Sequence, residues 1–363
     1  MKITAIQTTE IRIPLRTPFK TALRTVDSVH DVLVRVQTDT GEAGYGEAPP
    51  TAVITGDTIG SIRNAIEEFI APALVGMDVE DLDCVMTRLD RCILKNTSAK
   101  AAVDMAIYDL YAKSCGKPLY RVLGGAKKEI ETDLTISVNP IPQMVADAHE
   151  AVNRGFNILK IKVGKEGLKD VARLRAIREA VGPGVVIRVD ANQGWTREEA
   201  VSTITAMEEA GLNIELVEQP VSYHDFKGMQ YVTSHVETPI LADESVFSYE
   251  DAIRLMEEKG ADLINIKLMK TGGIHEAVRI CDAADQFGVK FMIGCMLESK
   301  VSVSAGVHLA AARSCVTMAD LDGPSLCRLD PYEGGPVYKG PEIFLKEDCG
   351  IGITGVPVTF EPV

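Results

Sequence analysis

From about residue 130 onwards, short apolar runs alternate with longer segments in which apolar residues recur every three or four positions. The short runs are typical of buried strands, and the longer segments are typical of amphipathic helices. The runs read DLTISV, ILKIKVG, VVIRVDA, IELVEQP, PILADE, LINIKLM, KFMIGC and VTMADLD. Eight strands separated by helices predict a (β/α)8-type barrel.

The first 128 residues have a different pattern. The segments ITAIQTTEIRI and HDVLVRVQTDTGEAGYGEA alternate like strands, whereas SIRNAIEEFIAPAL and SAKAAVDMAIYDLYAKSCG have helical spacing. We predict a long loop for the basic stretch PLRTPFKTALRTVDS, and turn glycines in GEAGYG because no helix opens after it. The chain is therefore expected to have a smaller domain at residues 1–128 and a barrel at residues 129–324. A tail from about residue 325 to residue 363 is expected to return to the smaller domain.

The composition narrows the classes of partner. With 363 residues, 46% hydrophobic and 25% charged, the chain suits a barrel plus a smaller domain. The net charge of -14 argues against nucleic acid and anionic membrane, since both attract a basic face. No apolar run is long enough for a bilayer, and the N-terminal segment lacks the apolar core of a signal peptide. Eight scattered cysteines without a C-x-x-C pair predict reduced thiols in the cytoplasm. The sequence does not define an oligomeric state, and a homo-oligomer is compatible with it.

One polar or small residue lies near the C-terminal end of each predicted barrel strand. Successive members of this series are 24 to 28 residues apart. The series is Thr135, Lys162, Asp190, Glu218, Asp243, Lys267, Cys295 and Asp320. In a barrel these strand ends face one shared space, where the active sites of this fold lie. The spacing therefore predicts that these side chains surround a single site.

Three carboxylates of the series, Asp190, Glu218 and Asp243, belong to consecutive strands. Converging carboxylates repel one another unless a cation lies between them. Oxygen ligands without a nearby histidine favour a hard cation, Mg²⁺ before Mn²⁺ or Ca²⁺. A single strand-end acid would be explained by solvation alone, but three in register predict a metal site.

Lysines flank the predicted metal site. Lys162 and Lys267 lie on the second and sixth strands, hence on opposite walls of the barrel. From there, one lysine can remove a proton from a substrate carbon, and the other can return a proton to the opposite face of the same carbon. Lys160 shares a strand face with Lys162. We expect its charge, together with burial, to lower the proton affinity of Lys162, although a lysine reaching solvent is an alternative. Lys270 is expected to face solvent.

Five motifs in this order carry a resemblance over essentially the whole chain: the K-x-K of ILKIKVG, then DANQGW, VEQP, ADES and NIKLMKTGG. The chain resembles the enolase superfamily, muconate-lactonising subgroup. This resemblance implies a modified (β/α)7β barrel, an α+β capping domain, an obligatory Mg²⁺, and Lys162 and Lys267 as the acid/base pair. Asn192 and Glu244 are then expected to support the metal ligands without binding the ion, and Trp195 to serve packing.

The subgroup includes cycloisomerases, o-succinylbenzoate synthases, N-acylamino acid racemases and dipeptide epimerases. Asp320 and Asp322 in MADLDGP share a strand face. Two added carboxylates would repel a dianionic muconate and offer nothing to a neutral N-acyl group, but they suit a free ammonium. The D-x-D resembles that of dipeptide epimerases, where it binds the N-terminal amine of the substrate. A plain turn is the alternative.

Further substrate contacts follow from the same resemblance. Arg24 in FKTALRTV is similar to an arginine that pairs with the glutamate side chain in Ala-Glu epimerases, although a solvated basic loop with Arg16 and Lys20 is an alternative. Thr135, Lys160, Cys295 and Leu297 are also expected to contact the substrate; no histidine accompanies Cys295 to make it a nucleophile. We expect an L-Ala-L/D-Glu dipeptide inverted at its C-terminal residue, with N-acylamino acid racemisation, cycloisomerisation and the lyase reaction as alternatives.

Overall fold

The computed structural model describes residues 1–21, 24–164 and 167–360, apart from the side chain at position 285. A β-rich N-terminal part precedes an eight-stranded barrel, and a C-terminal segment follows it. In the described part of the chain, no helix is both long and apolar enough to cross a membrane.

The N-terminal part opens with an antiparallel sheet of three strands in the order β1-β2-β3. These are β1 (Ile3–Lys20), β2 (Thr25–Thr38) and β3 (Ala43–Ala48). The long loop predicted for the basic stretch is wrong, because β1 and β2 extend through it as a two-stranded ribbon in which Phe19 pairs with Val26. A register shift between Pro14 and Phe19 interrupts the ladder where proline lacks an N–H donor.

Helices cover the inner face of this sheet. They are α1 (Ile59–Asn64), a π-helical turn (Ala65–Ile70), α2 (Ala71–Leu74), α3 (Leu82–Cys92), α4 (Thr97–Ser114) and α5 (Leu119–Val122). The turn predicted for GEAGYG is wrong for two of its glycines, because Gly44 and Gly46 lie within β3 against α4. A Cβ at Gly46 would come within 1.8 Å of the carbonyl oxygen of Ala102, so the glycines permit this close packing.

The barrel begins after a short strand, β4 (Glu129–Glu131). Its strands are β5 (Leu134–Ile136), β6 (Ile158–Lys162), β7 (Val186–Asp190), β8 (Ile214–Glu218), β9 (Ile240–Ala242), β10 (Leu263–Lys267), β11 (Lys290–Gly294) and β12 (Val316–Asp320). The connecting helices are α6 (Ile141–Asn153), α7 (Leu168–Val181), α8 (Arg197–Glu209), α9 (Phe226–His235), α10 (Tyr249–Glu257), α11 (Leu268–Thr271), α12 (Ile274–Phe287) and α13 (Lys300–Ala312).

All eight barrel strands are parallel and pair in chain order from β5 to β12. The two edges meet where the backbone N–H of Asp133 donates to the carbonyl of Ala319 at 3.3 Å. Seven helical connections join the eight strands, so the modified (β/α)7β barrel with a separate N-terminal domain is confirmed.

Residues that point into the barrel form layers. Leu216, Leu241 and Met292 make a buried apolar layer. Two residues further along β8, the same face carries Glu218, and Asp243 stands in the same relation to Leu241. The apolar layer therefore closes the barrel beneath a polar layer at the C-terminal ends of the strands.

The C-terminal segment contains α14 (Gly323–Leu326), β13 (Glu333–Gly334), β14 (Val337–Lys339), β15 (Glu342–Phe344) and β16 (Ile353–Gly355). The backbone N–H of Arg328 donates to the carbonyl of Pro14 at 2.9 Å, and that of Leu119 donates to the carbonyl of Gly350 at 2.8 Å. Contacts of this kind support a return of the tail to the N-terminal part. The domain boundaries at residues 128 and 324 stay a prediction.

Candidate active site

The polar layer brings the predicted metal ligands and the two predicted catalytic lysines together. Asp190, Glu218 and Lys267 end β7, β8 and β10, and Asp243 directly follows β9. All are buried. Lys162 Nζ lies 2.6 Å from Asp190 Oδ2 on one side of Glu218, and Lys267 Nζ lies 2.7 Å from Asp243 Oδ2 on the other. The two ammonium groups thus flank the three carboxylates.

Ion pairing opposes burial in this layer. Burial alone would raise the pKa of Asp190 and Asp243, but the neighbouring lysines together outweigh it and lower both. Lys162 contributes most at Asp190, and Lys267 contributes most at Asp243. Burial would likewise lower the pKa of Lys267, yet the surrounding carboxylates together raise it, Asp243 most of all. Glu218 behaves differently, because burial and the neighbouring Asp190 raise its pKa to about 7.

Lys160 is a buried cation rather than a side chain that reaches solvent. Its Nζ lies 2.6 Å from Glu218 Oε2, 2.6 Å from Asp320 Oδ2 and 3.2 Å from Asp190 Oδ2. Burial lowers the pKa of Lys160, but these carboxylates outweigh burial and raise it, Asp320 most of all. The solvated interpretation is wrong, because the neighbouring strands β7, β8 and β12 present acids to the same point. An influence of Lys160 on the proton affinity of Lys162 stays a prediction.

Lys270 does not face solvent, and that prediction is wrong. It is fully buried, with Nζ 2.7 Å from Asp243 Oδ1 and 2.9 Å from the carbonyl of Asn265. The helix α11 starts immediately after Lys267 and turns Lys270 back over the barrel. The local pattern did not indicate this burial, because the partner Asp243 comes from the end of another strand.

The donor set fits a hard divalent cation. Both carboxylate oxygens of Glu244 and Oδ1 of Asn192 are buried and have no hydrogen-bond partner in the described part of the chain. Burial, together with Asp243, raises the pKa of Glu244 to about 8. Unpaired buried oxygens beside Asp190 and Asp243 suit an ion such as Mg²⁺, whose ligands are oxygens.

The balance of charged residues in the described barrel interior also favours a bound cation. Buried charged residues on the barrel strands or within three residues of their ends comprise seven carboxylates and five cations. The carboxylates are Asp133, Asp190, Glu218, Asp243, Glu244, Asp320 and Asp322, and the cations are Lys160, Lys162, Arg188, Lys267 and Lys270. The excess of acidic groups accommodates further positive charge.

A second cluster of acids lies at the ends of the neighbouring strands. Single carboxylate oxygens of Asp133, Asp320 and Asp322 lie within 4.8 Å of one another. Arg188 already pairs with Asp133 at 2.9 Å, and Lys160 pairs with Asp320. Fixed cations also pair with Asp190, Glu218 and Asp243, so ion pairing does not distinguish the two groups of acids. The metal ligands on β7, β8 and β9 stay a prediction.

One cavity at the barrel mouth is lined by six of the predicted substrate contacts. They are Arg24, Thr135, Cys295, Leu297, Asp320 and Asp322. Lys162 and Lys267 line the same cavity, whereas Lys160 lies behind its wall. The sequence analysis missed the residues of the N-terminal part that also line the cavity, which include Phe19, Thr21, Thr51, Val53 and Ile54. Strand alternation could have indicated Phe19 and Thr21, but loop residues 51–54 carried no local signal.

The two aspartates after β12 differ in their fixed partners. Burial would raise the pKa of Asp320, but the neighbouring lysines, Lys160 most of all, together outweigh it and lower the pKa to about 2. Asp322 accepts a hydrogen bond from the backbone N–H of Thr135 at 2.7 Å. Burial and Asp320 nevertheless raise the pKa of Asp322 to about 6. Both carboxyl groups border the cavity and are not part of a solvated turn.

The three basic residues of the ribbon have separate environments. Lys20 Nζ donates to Asn139 Oδ1 at 2.9 Å, and Arg16 Nε donates to the carbonyl of Cys327 at 3.0 Å. Arg24 borders the cavity, and its guanidinium has no ion pair or hydrogen bond in the described part of the chain. Its burial lowers its pKa. The common solvated loop is therefore not observed.

Comparison with known proteins places this site in context. Residues 3–124 match the family model "Mandelate racemase / muconate lactonizing enzyme, N-terminal domain", and residues 143–356 match "Enolase C-terminal domain-like". An L-Ala-D/L-Glu epimerase of Clostridium acetobutylicum is 52% identical over 95% of this chain and 97% of its own.

Solved structures agree with the sequence relatives. A substrate-liganded complex of the L-Ala-D/L-Glu epimerase from Bacillus subtilis is 47% identical and superposes with a TM-score of 0.97 over 99% of this chain and 100% of its own. A dipeptide epimerase from Enterococcus faecalis complexed with Mg and L-Leu-L-Tyr is 41% identical, with a TM-score of 0.94 over 98% of this chain and 100% of its own. The chain belongs to the mandelate racemase and muconate lactonizing enzyme family of the enolase superfamily.

Proposed function

We propose that this protein is a dipeptide epimerase that inverts the α-carbon of the C-terminal residue, with L-Ala-L/D-Glu as its preferred type of substrate. The observation that carries the proposal is the common cavity of two opposed lysines, two aspartates and one unpaired arginine. Each charged group of such a dipeptide finds an opposite charge there. Similarity to L-Ala-D/L-Glu epimerases over nearly the whole chain supports the same substrate class.

Asp190, Glu218 and Asp243 would hold Mg²⁺, as the oxygen donors and the Mg-bound relative suggest. The bound ion would supply positive charge that stabilises the negative charge developing on the terminal carboxylate when the α-proton leaves. Lys160 and Lys270 fix the ligands, because Lys160 contacts Asp190 and Glu218 while Lys270 contacts Asp243.

Lys162 and Lys267 move the proton. They border the cavity from opposite sides of the carboxylates, so each faces one side of a substrate α-carbon. One lysine accepts the proton as an amine, and the other donates a proton to the opposite face as an ammonium. Inversion follows from this opposition, and exchange of roles allows the reverse reaction.

Asp320 and Asp322 would bind the N-terminal ammonium of the dipeptide, and Arg24 would bind the side-chain carboxylate of its C-terminal residue. Asp320 keeps Lys160 as a partner with any substrate, but an N-acyl substrate would leave Asp322 without a paired cation, and burying unpaired charge is costly. The free ammonium therefore distinguishes this reaction from N-acylamino acid racemisation. A cytoplasmic location stays a prediction.

Deuterium exchange tests the proposal directly. The protein, Mg²⁺ and a panel of dipeptides are incubated in D₂O, and mass spectrometry locates the incorporated deuterium. We expect exchange at the C-terminal α-carbon, fastest for L-Ala-L-Glu and L-Ala-D-Glu. Exchange only in N-acylamino acids, or water loss from a cyclic acid without dipeptide exchange, would show that one of the alternative reactions is correct.

The glutamate preference predicts the effect of Arg24→Ala. Losing a charge-assisted contact costs about 1.5 to 3 kcal/mol, so kcat/KM for L-Ala-L-Glu should fall by about one to two powers of ten. Turnover of L-Ala-L-Met should change far less. Lys20→Ala is the matched control, because Lys20 lies in the same ribbon but bonds to Asn139. Unchanged Ala-Glu turnover in Arg24→Ala would remove the main support for the glutamate preference.

A further inference from the structure

Arg24 is unusual because it is largely buried without a fixed counter-ion. Its guanidinium borders the cavity, and Asp31 is the acid that interacts with its charge. Asp31 forms no ion pair with it in the described part of the chain. Buried guanidinium groups normally pair with a carboxylate. The state of Asp31 therefore decides how much of the positive charge of Arg24 is available to a substrate.

Asp31 has another carboxyl group beside it. Leu33 of β2 pairs with Glu47 of β3, and Asp31 lies two residues before Leu33 on the same sheet face. Asp31 and Glu47 are 1% and 0% exposed, and the carboxyl group of Glu47 acts on that of Asp31 to raise its pKa. Two buried carboxyl groups side by side do not both ionise readily, because like charges repel each other.

The side chain of Glu47 is held by hydrogen-bond donors of the barrel. It accepts hydrogen bonds from the barrel at 2.9 Å from Ser299 N, 2.7 Å from Ser299 Oγ and 3.0 Å from Ser302 N. Three donors stabilise a carboxylate. Asp31, by contrast, has one buried oxygen, Oδ2, without a hydrogen-bond partner among the described residues.

The other groups around Asp31 act in the same direction. Burial comes first, and Glu47 and Glu298 add to it, so the pKa of Asp31 lies well above its usual range; Arg24 opposes them. Cys327 and Tyr332 of the C-terminal segment also interact with Asp31, and neither brings positive charge. Arg24 is therefore the positively charged group that acts on Asp31.

We propose that Asp31 holds a proton at neutral pH and thereby leaves the guanidinium of Arg24 free for the side-chain carboxylate of the substrate. The inference rests on the proposed function and adds a determinant of specificity that acts through Arg24. An ionised Asp31 would be an internal counter-ion and would compete with the substrate. Because an acid with a raised pKa ionises as pH increases, preference for an acidic dipeptide should decline at alkaline pH.

The test compares L-Ala-L-Glu with L-Ala-L-Gln from mildly acidic pH to the most alkaline pH at which the protein stays folded. The two substrates differ only in side-chain charge, so titration of the substrate amine and of the lysines cancels in the ratio of their kcat/KM values. We expect the ratio for the wild-type protein to fall about tenfold on the alkaline side. In Asp31→Asn, whose amide mimics the protonated acid, the ratio should stay high at every pH. Asp27→Asn, at an exposed acid of the same strand, should follow the wild type.

Infrared difference spectra provide a measurement that needs no turnover. The spectrum of the wild-type protein minus that of Asp31→Asn should contain the carbonyl band of a protonated carboxylic acid at neutral pH. Absence of this band, or a wild-type ratio that does not change with pH, overturns the inference. The wild-type ratio also decides the matter if Asp31→Asn fails to fold. A protein that turns over neutral dipeptides without preferring Ala-Glu overturns this inference alone, whereas one that turns over no dipeptide overturns the proposed function as well.

Discussion

Replacing Lys162 with alanine should abolish removal of the α-proton from one epimer of a dipeptide, while exchange from the other epimer survives at a reduced rate. Lys267→Ala should give the opposite selectivity. The reason is geometric, because the two lysines border the cavity from opposite sides of the carboxylates. Loss of a general base typically costs about 10² to 10⁴ in rate, so the affected direction should fall by at least about a hundredfold.

The measurement starts from each pure epimer in D₂O and follows deuterium incorporation by mass spectrometry. Lys290→Ala is a suitable control, because Lys290 is an exposed lysine at the beginning of β11, at the other end of the barrel. It should exchange both epimers at the rate of the unmodified protein. Equal residual epimerisation in both directions after Lys162→Ala would contradict a two-base mechanism.

Periodic features explain why the barrel could be predicted from the sequence. Buried parallel strands are near-continuous apolar runs, and their regular spacing puts strand ends such as Asp190 and Glu218 in one layer. The side chains near these strand ends do converge on one cavity, and Thr135 and Cys295 are among those that line it. Local sequence patterns were therefore sufficient to predict the position of the candidate site.

Features that depend on contacts between distant segments could not be predicted in the same way. Gly46 is required by the approach of α4, and the burial of Lys270 depends on Asp243, which is 27 residues away. The charge of Lys160 is set by acids from three other strands. The pairing of Asp31 with Glu47 requires the register of β2 and β3. None of these contacts produces a repeat along the sequence.

Removal of divalent metal should abolish dipeptide exchange, and addition of Mg²⁺ should restore it. Seven buried carboxylates against five buried cations leave acidic groups uncompensated in the described barrel interior, including both oxygens of Glu244. Added positive charge should therefore also stabilise the folded protein. An ion that binds the native state raises stability by about 2.7 kcal/mol at a hundred times its dissociation constant, which is measurable as a higher Tm.

The experiment combines chelation, confirmation of metal loss by elemental analysis, and parallel measurements of exchange and Tm. Asp243→Asn provides a matched variant, because it removes one ligand charge with little change in shape. Its activity should stay low after Mg²⁺ is added, and its Tm should respond less to the ion. Asp27→Asn, an exposed acid on β2, should respond like the unmodified protein. Full exchange by protein that contains no metal would contradict the magnesium site. A normal Mg²⁺ response of Asp243→Asn would contradict only the assignment of Asp243, because the cation would then be held by other acids of the same layer.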